Sequence, residues 1–186
     1  MVRVASVLLC GYIGLALIGC SPRLVIPEPK IQPISAPEFE LMTIRDLPFS
    51  SRMLRGKMVV VNFCTTWSPA SAREVLELHK LQAKWTENEK PFQIIGISID
   101  ELGKKDALPV FGDMNLRYPI LVSDYDFAEK FGGIDVVPST FIIEPDWKVV
   151  NRYTGQVDIL VLEAEIEKRY KKFKKRQEEI AKLQKN

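Results

Sequence analysis

Residues Met58–Cys64, MVVVNFC, are apolar apart from one asparagine and rich in β-branched side chains. That is the pattern of a strand covered on both faces. The period then changes: between residues 69 and 89, Val75, Leu76, Leu78, Leu81 and Trp85 fall at helical spacing. Residues 92–99, FQIIGISI, form a second buried-strand pattern, and residues 100–115 predict a helix that Pro109 should kink or break. A short strand follows over residues 118–122, then a helix over 126–131 ended by Gly132-Gly133, and a hairpin pairing 140–144 with 148–153. The last helix starts near Asp158, a good N-cap residue. Strands alternating with helices argue for an α/β domain with a mostly parallel sheet.

The ends of the chain carry different patterns. After Arg3, residues 4–18 are almost wholly apolar, which is short for a spanning helix and fits the hydrophobic region of an export signal. The stretch ends in Leu17-Ile18-Gly19-Cys20, which resembles the lipobox of bacterial lipoproteins, where the signal is cut before a lipid-bearing cysteine. The alternative is an uncleaved membrane anchor. Either way the domain is expected outside the cytoplasm, held on a membrane of the cell envelope. Residues 21–37, SPRLVIPEPKIQPISAP, contain five prolines and no periodic pattern, so they read as an extended tether. The chain thus divides into a signal (1–19), a proline-rich tether (20–36), a folded domain (37–167) and a basic helical extension (168–186).

Charge adds to this division. The 186 residues, 46% hydrophobic and 27% charged, suit one globular domain, and the net charge of +2 hides a polarity. Residues 168–186 hold nine Lys or Arg against two Glu, whereas residues 20–167 hold sixteen basic and twenty-two acidic residues. Such a tail is commonly a solvated helix, and it could also meet anionic lipid headgroups or an acidic partner. Nucleic acid does not fit an exported lipoprotein.

Cysteine use narrows the chemistry. Cys10 leaves with the signal and Cys20 takes the lipid, so Cys64 is the only thiol of the mature chain and no internal disulfide is available. One cysteine and one histidine, His79, give no metal-ligand set, and no cofactor is implied.

RGKMVVVNFCTTWSPASAREVLEL, IIGISIDE and VVPSTFIIEPDWKVVNRYTGQVD follow one another at characteristic spacing. Together they resemble the TlpA/ResA group of thioredoxin-like, membrane-tethered thiol-disulfide proteins over residues 37–167. The resemblance implies a thioredoxin-like α/β fold, a central mixed sheet flanked by helices, here with an extended C-terminal helix. It implies that Trp67 and Pro69 belong to the active-site turn, that Glu74 takes the place of an acidic residue near the thiols, and that Val137-Pro138 is a cis-proline edge that pairs with extended peptides. It also implies thiol-bearing envelope partners, including those of cytochrome maturation. The departures fall on the chemistry: Ser68 and Ser71 occupy the two cysteine positions, Cys64 stands where an aromatic residue is usual, and Trp147 where a hairpin glycine is usual.

Dithiol exchange needs a thiolate to attack a disulfide and a second thiol to release it. A serine alcohol does neither. A serine nucleophile needs an adjacent base, and His79 lies eleven residues on, about 16 Å along a helix. Ser68-Pro69 reads more simply as N-cap and first-turn proline, although Ser71 with Glu74 also matches the S-x-x-E capping box and offers a later start. Glu74 has a second reading as an acid complementing the helix dipole, and Cys64 one as a small buried hydrophobe.

The leading expectation is a membrane-tethered binding or assembly module without dithiol activity, its surface formed by Trp67, Pro69, Val137 and Pro138. The alternatives are a thiol-disulfide or peroxiredoxin-like protein working through Cys64, and a structural lipoprotein using its basic tail.

Overall fold

The computed structural model describes residues 33–183, so the signal, Cys20 and most of the tether lie outside the described residues. Eight strands form one sheet: β1 (Ile34–Ser35), β2 (Glu40–Thr43), β3 (Pro48–Ser50), β4 (Met58–Cys64), β5 (Phe92–Ser98), β6 (Ile120–Val122), β7 (Ser139–Ile143) and β8 (Lys148–Thr154). Their order is β1-β8-β7-β4-β5-β6-β2-β3. Four helices cover the sheet, α1 (Pro69–Glu87), α2 (Lys104–Phe111), α3 (Tyr125–Glu129) and α4 (Ile159–Leu183).

Only β4–β5 and β5–β6 pair in parallel; the other five pairings are antiparallel. The expectation of a mostly parallel sheet is therefore corrected. Alternation along the chain gives parallel crossovers only where a helix intervenes, and short extended segments flank that centre. Two of them, β2 and β3, have burial too mixed to announce a strand, and β1 is only two residues long. Ile34 pairs with Val149 and Ala36 is buried, so the folded domain begins within the stretch assigned to the tether.

Period-two alternation in β4 distributes the core between two faces. Val59, Val61 and Phe63 join Phe127, Phe131 and Phe141 on the α3 side. Met58, Val60 and Cys64 join Val75, Leu78 and Trp85 under α1 and α4. Asn62 falls on this second face, fully buried at the centre of the sheet, and needs polar partners there.

The remaining elements differ little from expectation. Pro109 lies inside α2, which runs on to Phe111 before tightening into a 3₁₀ turn over Gly112–Met114, so the proline does not break it. Helix α4 is one continuous element across residues 167 and 168, with Asp158 Oδ1 accepting the Leu160 N–H at 2.8 Å. Trp147 holds φ +66° in the β7–β8 turn and is buried, with the Arg55 guanidinium 5.0 Å from its ring. Packing of the indole offsets the cost of a left-handed conformation where glycine would be free of it.

Candidate functional site

The end of β4 leads through Thr65, Thr66 and Trp67 into α1, and Ser68 caps that helix. Its Oγ accepts the Ser71 N–H at 3.2 Å, with Pro69 in the first turn. The helix therefore starts at the first of the two candidate positions. Ser71, one turn inside, is fully buried, and its Oγ accepts the Thr65 N–H at 3.4 Å. Both hydroxyls thus hold the turn together. His79 sits on the far part of α1, where its Nδ1 accepts the Arg117 N–H at 3.1 Å, and serves neither serine as a base.

Glu74 neither closes a capping box nor stands exposed at the helix start. It is buried and turned into the sheet, where Oε1 accepts from Asn62 Nδ2 at 3.0 Å and from the Thr140 hydroxyl, and Oε2 accepts the Val157 N–H at 2.9 Å. One carboxylate thus joins α1, β4, β7 and the loop before α4. Burial pushes its pKa above the ordinary 4.5, opposed by the hydrogen bonds from Thr140 and Val157.

Cys64 has no exposed surface, and its thiol reaches the Ile97 carbonyl at 3.8 Å. Desolvation first, then the Asp100 and Glu74 carboxylates, drive its pKa far above 9.0, so it stays a thiol. A buried, protonated Sγ is a poor nucleophile.

Asp100 is a residue that sequence reasoning missed. It is 3% exposed, and its carboxylate accepts from the Thr66 N–H at 2.9 Å, the Thr66 hydroxyl at 2.8 Å and the Ser98 hydroxyl at 2.7 Å. This clamp fixes the turn that carries Trp67. The signal available was a carboxylate directly after a buried strand, which needs donors to be buried at all.

The peptide bond Val137-Pro138 is cis. Phe63 pairs with Ser139 across β4 and β7, so the Pro138 loop lies beside the exit of β4 that feeds the Trp67 turn. Trp67 is 66% exposed and Pro69 is exposed beside it; Val136 is 45% exposed and Val137 half-buried. Pro138 itself is buried and its carbonyl accepts the Gly155 N–H at 2.8 Å. The surface on offer at this loop is therefore Val136 and Val137, and Pro138 is its support. No hydrogen bond engages the Val137 backbone among the described residues. Among those residues there is also no group of three His, Cys, Asp or Glu that could hold a metal ion, and no helix long and apolar enough to cross a membrane.

A strand, a tryptophan turn, a serine-capped helix and a cis-proline loop meeting at one end of a mixed sheet define a thioredoxin-like domain whose two motif positions carry oxygen. Residues 34–152 match the AhpC/TSA family, and the chain belongs to that family, with TlpA/ResA-type thioredoxin-like relatives. The thiol-disulfide oxidoreductase ResA of Bacillus anthracis is 27% identical over 123 residues, covering 65% of this chain and 68% of its own. A ResA of Bacillus cereus is 26% identical over 167 residues, covering 87% and 90%. Among solved structures, a thiol:disulfide interchange protein of the thioredoxin family from Chlorobium tepidum TLS superposes with a TM-score of 0.65 at 25% identity, covering 74% of this chain and 96% of that one.

Proposed function

We propose that this protein is a membrane-tethered member of the thioredoxin-like redoxins that binds extended protein segments and performs no dithiol exchange, its mature N-terminus anchored by lipid on Cys20 outside the cytoplasm. The observation that carries the reading is the contrast within one turn. Ser68 and Ser71 are buried, one capping α1 and the other holding the Thr65 N–H, whereas Trp67 beside them is 66% exposed next to an unengaged Val137 backbone. An exposed indole beside unpaired loop backbone suits an extended chain, whose main chain bonds to that backbone while a side chain packs on the ring. The partners this reading implies are envelope proteins, thiol-bearing ones included.

The second reading, oxidoreductase activity through Cys64, draws support from relatives named thiol-disulfide oxidoreductases. It requires the turn to open first, because Sγ has no exposed surface.

A photo-crosslinking side chain at position 136, introduced into the full-length protein in its native envelope, separates the readings. The binding reading predicts an adduct that survives Cys64→Ala and disappears with Trp67→Ala. An adduct lost with Cys64→Ala and kept with Trp67→Ala supports the thiol enzyme. One lost only on removing residues 171–186 supports a structural lipoprotein that works through its tail.

A further inference from the structure

A cleft of about 470 Å³ opens between the β2–β3 turn and the segment leading into β6. Its size is within the range of small-molecule sites. Because β5 and β6 run parallel to β4 and the cleft residues precede β6, it lies at the end of the sheet opposite the Trp67 turn. Exposed Leu47 and half-buried Leu116 and Pro119 give it apolar surface over the buried Ile44, Phe111 and Ile120, and Arg45 and Arg117 supply its charge. None of the lining residues is an aspartate or glutamate.

Both arginines lack a carboxylate partner among the described residues, unlike Arg52 and Arg55, which pair with Glu38, and Arg169 and Arg176, which pair with Glu144. Arg45 is held in place: Thr43 Oγ1 accepts its N–H at 3.2 Å, and its own Nη2 donates to the Gly112 carbonyl at 2.8 Å. The neighbouring acid, Asp46, is taken by Lys104. Arg117 is fixed through its backbone, whose N–H donates to His79 Nδ1, while its guanidinium has no hydrogen bond or ion pair among the described residues. The Tyr118 hydroxyl is already spent on the Val75 carbonyl at 3.1 Å. Two exposed guanidinium groups that line one cleft with no carboxylate in its lining make it a place where an anion fits.

We propose that this cleft binds an amphiphilic oxyanion, a phosphate or carboxylate group on an apolar body, the headgroup held by Arg45 and Arg117 and the body seated on Leu47, Leu116 and Pro119. Guanidinium forks match the geometry of such headgroups and stay charged at every relevant pH. The site is independent of the peptide edge and of the serines.

The test uses the full-length protein in phosphatidylcholine nanodiscs, titrated calorimetrically with hexyl phosphate, inorganic phosphate and hexanol against protein-free discs. The proposal expects saturable one-site binding of hexyl phosphate, binding of inorganic phosphate weaker by about tenfold or more, and none of hexanol. Arg117→Glu should weaken hexyl phosphate by at least about tenfold without lowering the melting temperature, and Arg45→Gln should act in the same direction. Discs containing phosphatidylglycerol identify the source. Competition marks a lipid headgroup as the ligand, unchanged affinity marks a free small molecule, and both support the site. Absence of saturable binding, or binding that both substitutions leave unchanged, overturns it. Should Arg117→Glu fail to fold, Arg117→Gln is read in its place by the same criteria.

Discussion

Oxygen in place of sulfur at residues 68 and 71 alters reactivity while keeping the local hydrogen bonding that a helix start requires. The Ser68 hydroxyl is a stronger acceptor than a thiol for the Ser71 N–H, so the substitution supports α1 while removing exchange chemistry. Glu74 is likewise held by hydrogen bonds, from Asn62, Thr140 and the Val157 N–H. A carboxyl whose folded pKa lies above its unfolded value binds protons more tightly in the native state. Its contribution is therefore fully present below pH 4.5 and is lost as the pH rises through the folded pKa. Glu74→Gln should remove that component, flattening the pH dependence of the urea midpoint from pH 4 upward. An unchanged pH profile would show that Glu74 titrates normally. Residue-level chemistry was partly legible in the sequence: Ser68 as cap and Cys64 as buried apolar residue follow from their positions. The inward turn of Glu74 does not, because it depends on Asn62 and Thr140 arriving from two different strands.

At the scale of elements, legibility follows burial. Strand β4 and helix α1 announce themselves because β4 is apolar apart from Asn62 and α1 is apolar on one face. Strands β1 to β3 escape notice because they are only two to four residues long with few buried side chains, and β1 and β2 find their places by pairing with the distant strands β8 and β6. Helix α4 divides by function along its length. Leu162 and Ile166 are buried, the Tyr170 ring meets Trp85 edge-on at 6.0 Å, and Arg169 and Arg176 reach Glu144 at the hairpin, so the first half of the basic extension is tied to the domain. Beyond it, Ile180 and Leu183 are exposed. Composition alone registers the charges without showing that two of them, Arg169 and Arg176, pair with Glu144. Tyr170→Ala should lower unfolding stability by about 1–3 kcal/mol through lost burial and lost ring contact, whereas Ile180→Ala should stay within about 0.5 kcal/mol, both read from urea titrations. Equal effects at the two positions would contradict the division.

For the whole molecule, the order of strand, turn, helix and proline loop was readable because each motif has its own local signature, and the fold follows from their sequence. What the fold does with its working end was less readable, because function there depends on which groups are buried. Trp67 is exposed while Ser68, Ser71 and Cys64 a few residues away are not, and only the folded chain distinguishes them. The central claim is that this end of the domain is an intact thioredoxin-like surface silenced at two atoms. Dithiothreitol-driven insulin reduction tests it most directly, comparing the soluble domain from Pro33 onward with the same domain carrying Ser68→Cys and Ser71→Cys. The account predicts a native domain with no activity above the dithiothreitol background and an active double variant. Turnover by the native domain, abolished by Cys64→Ala, would contradict it.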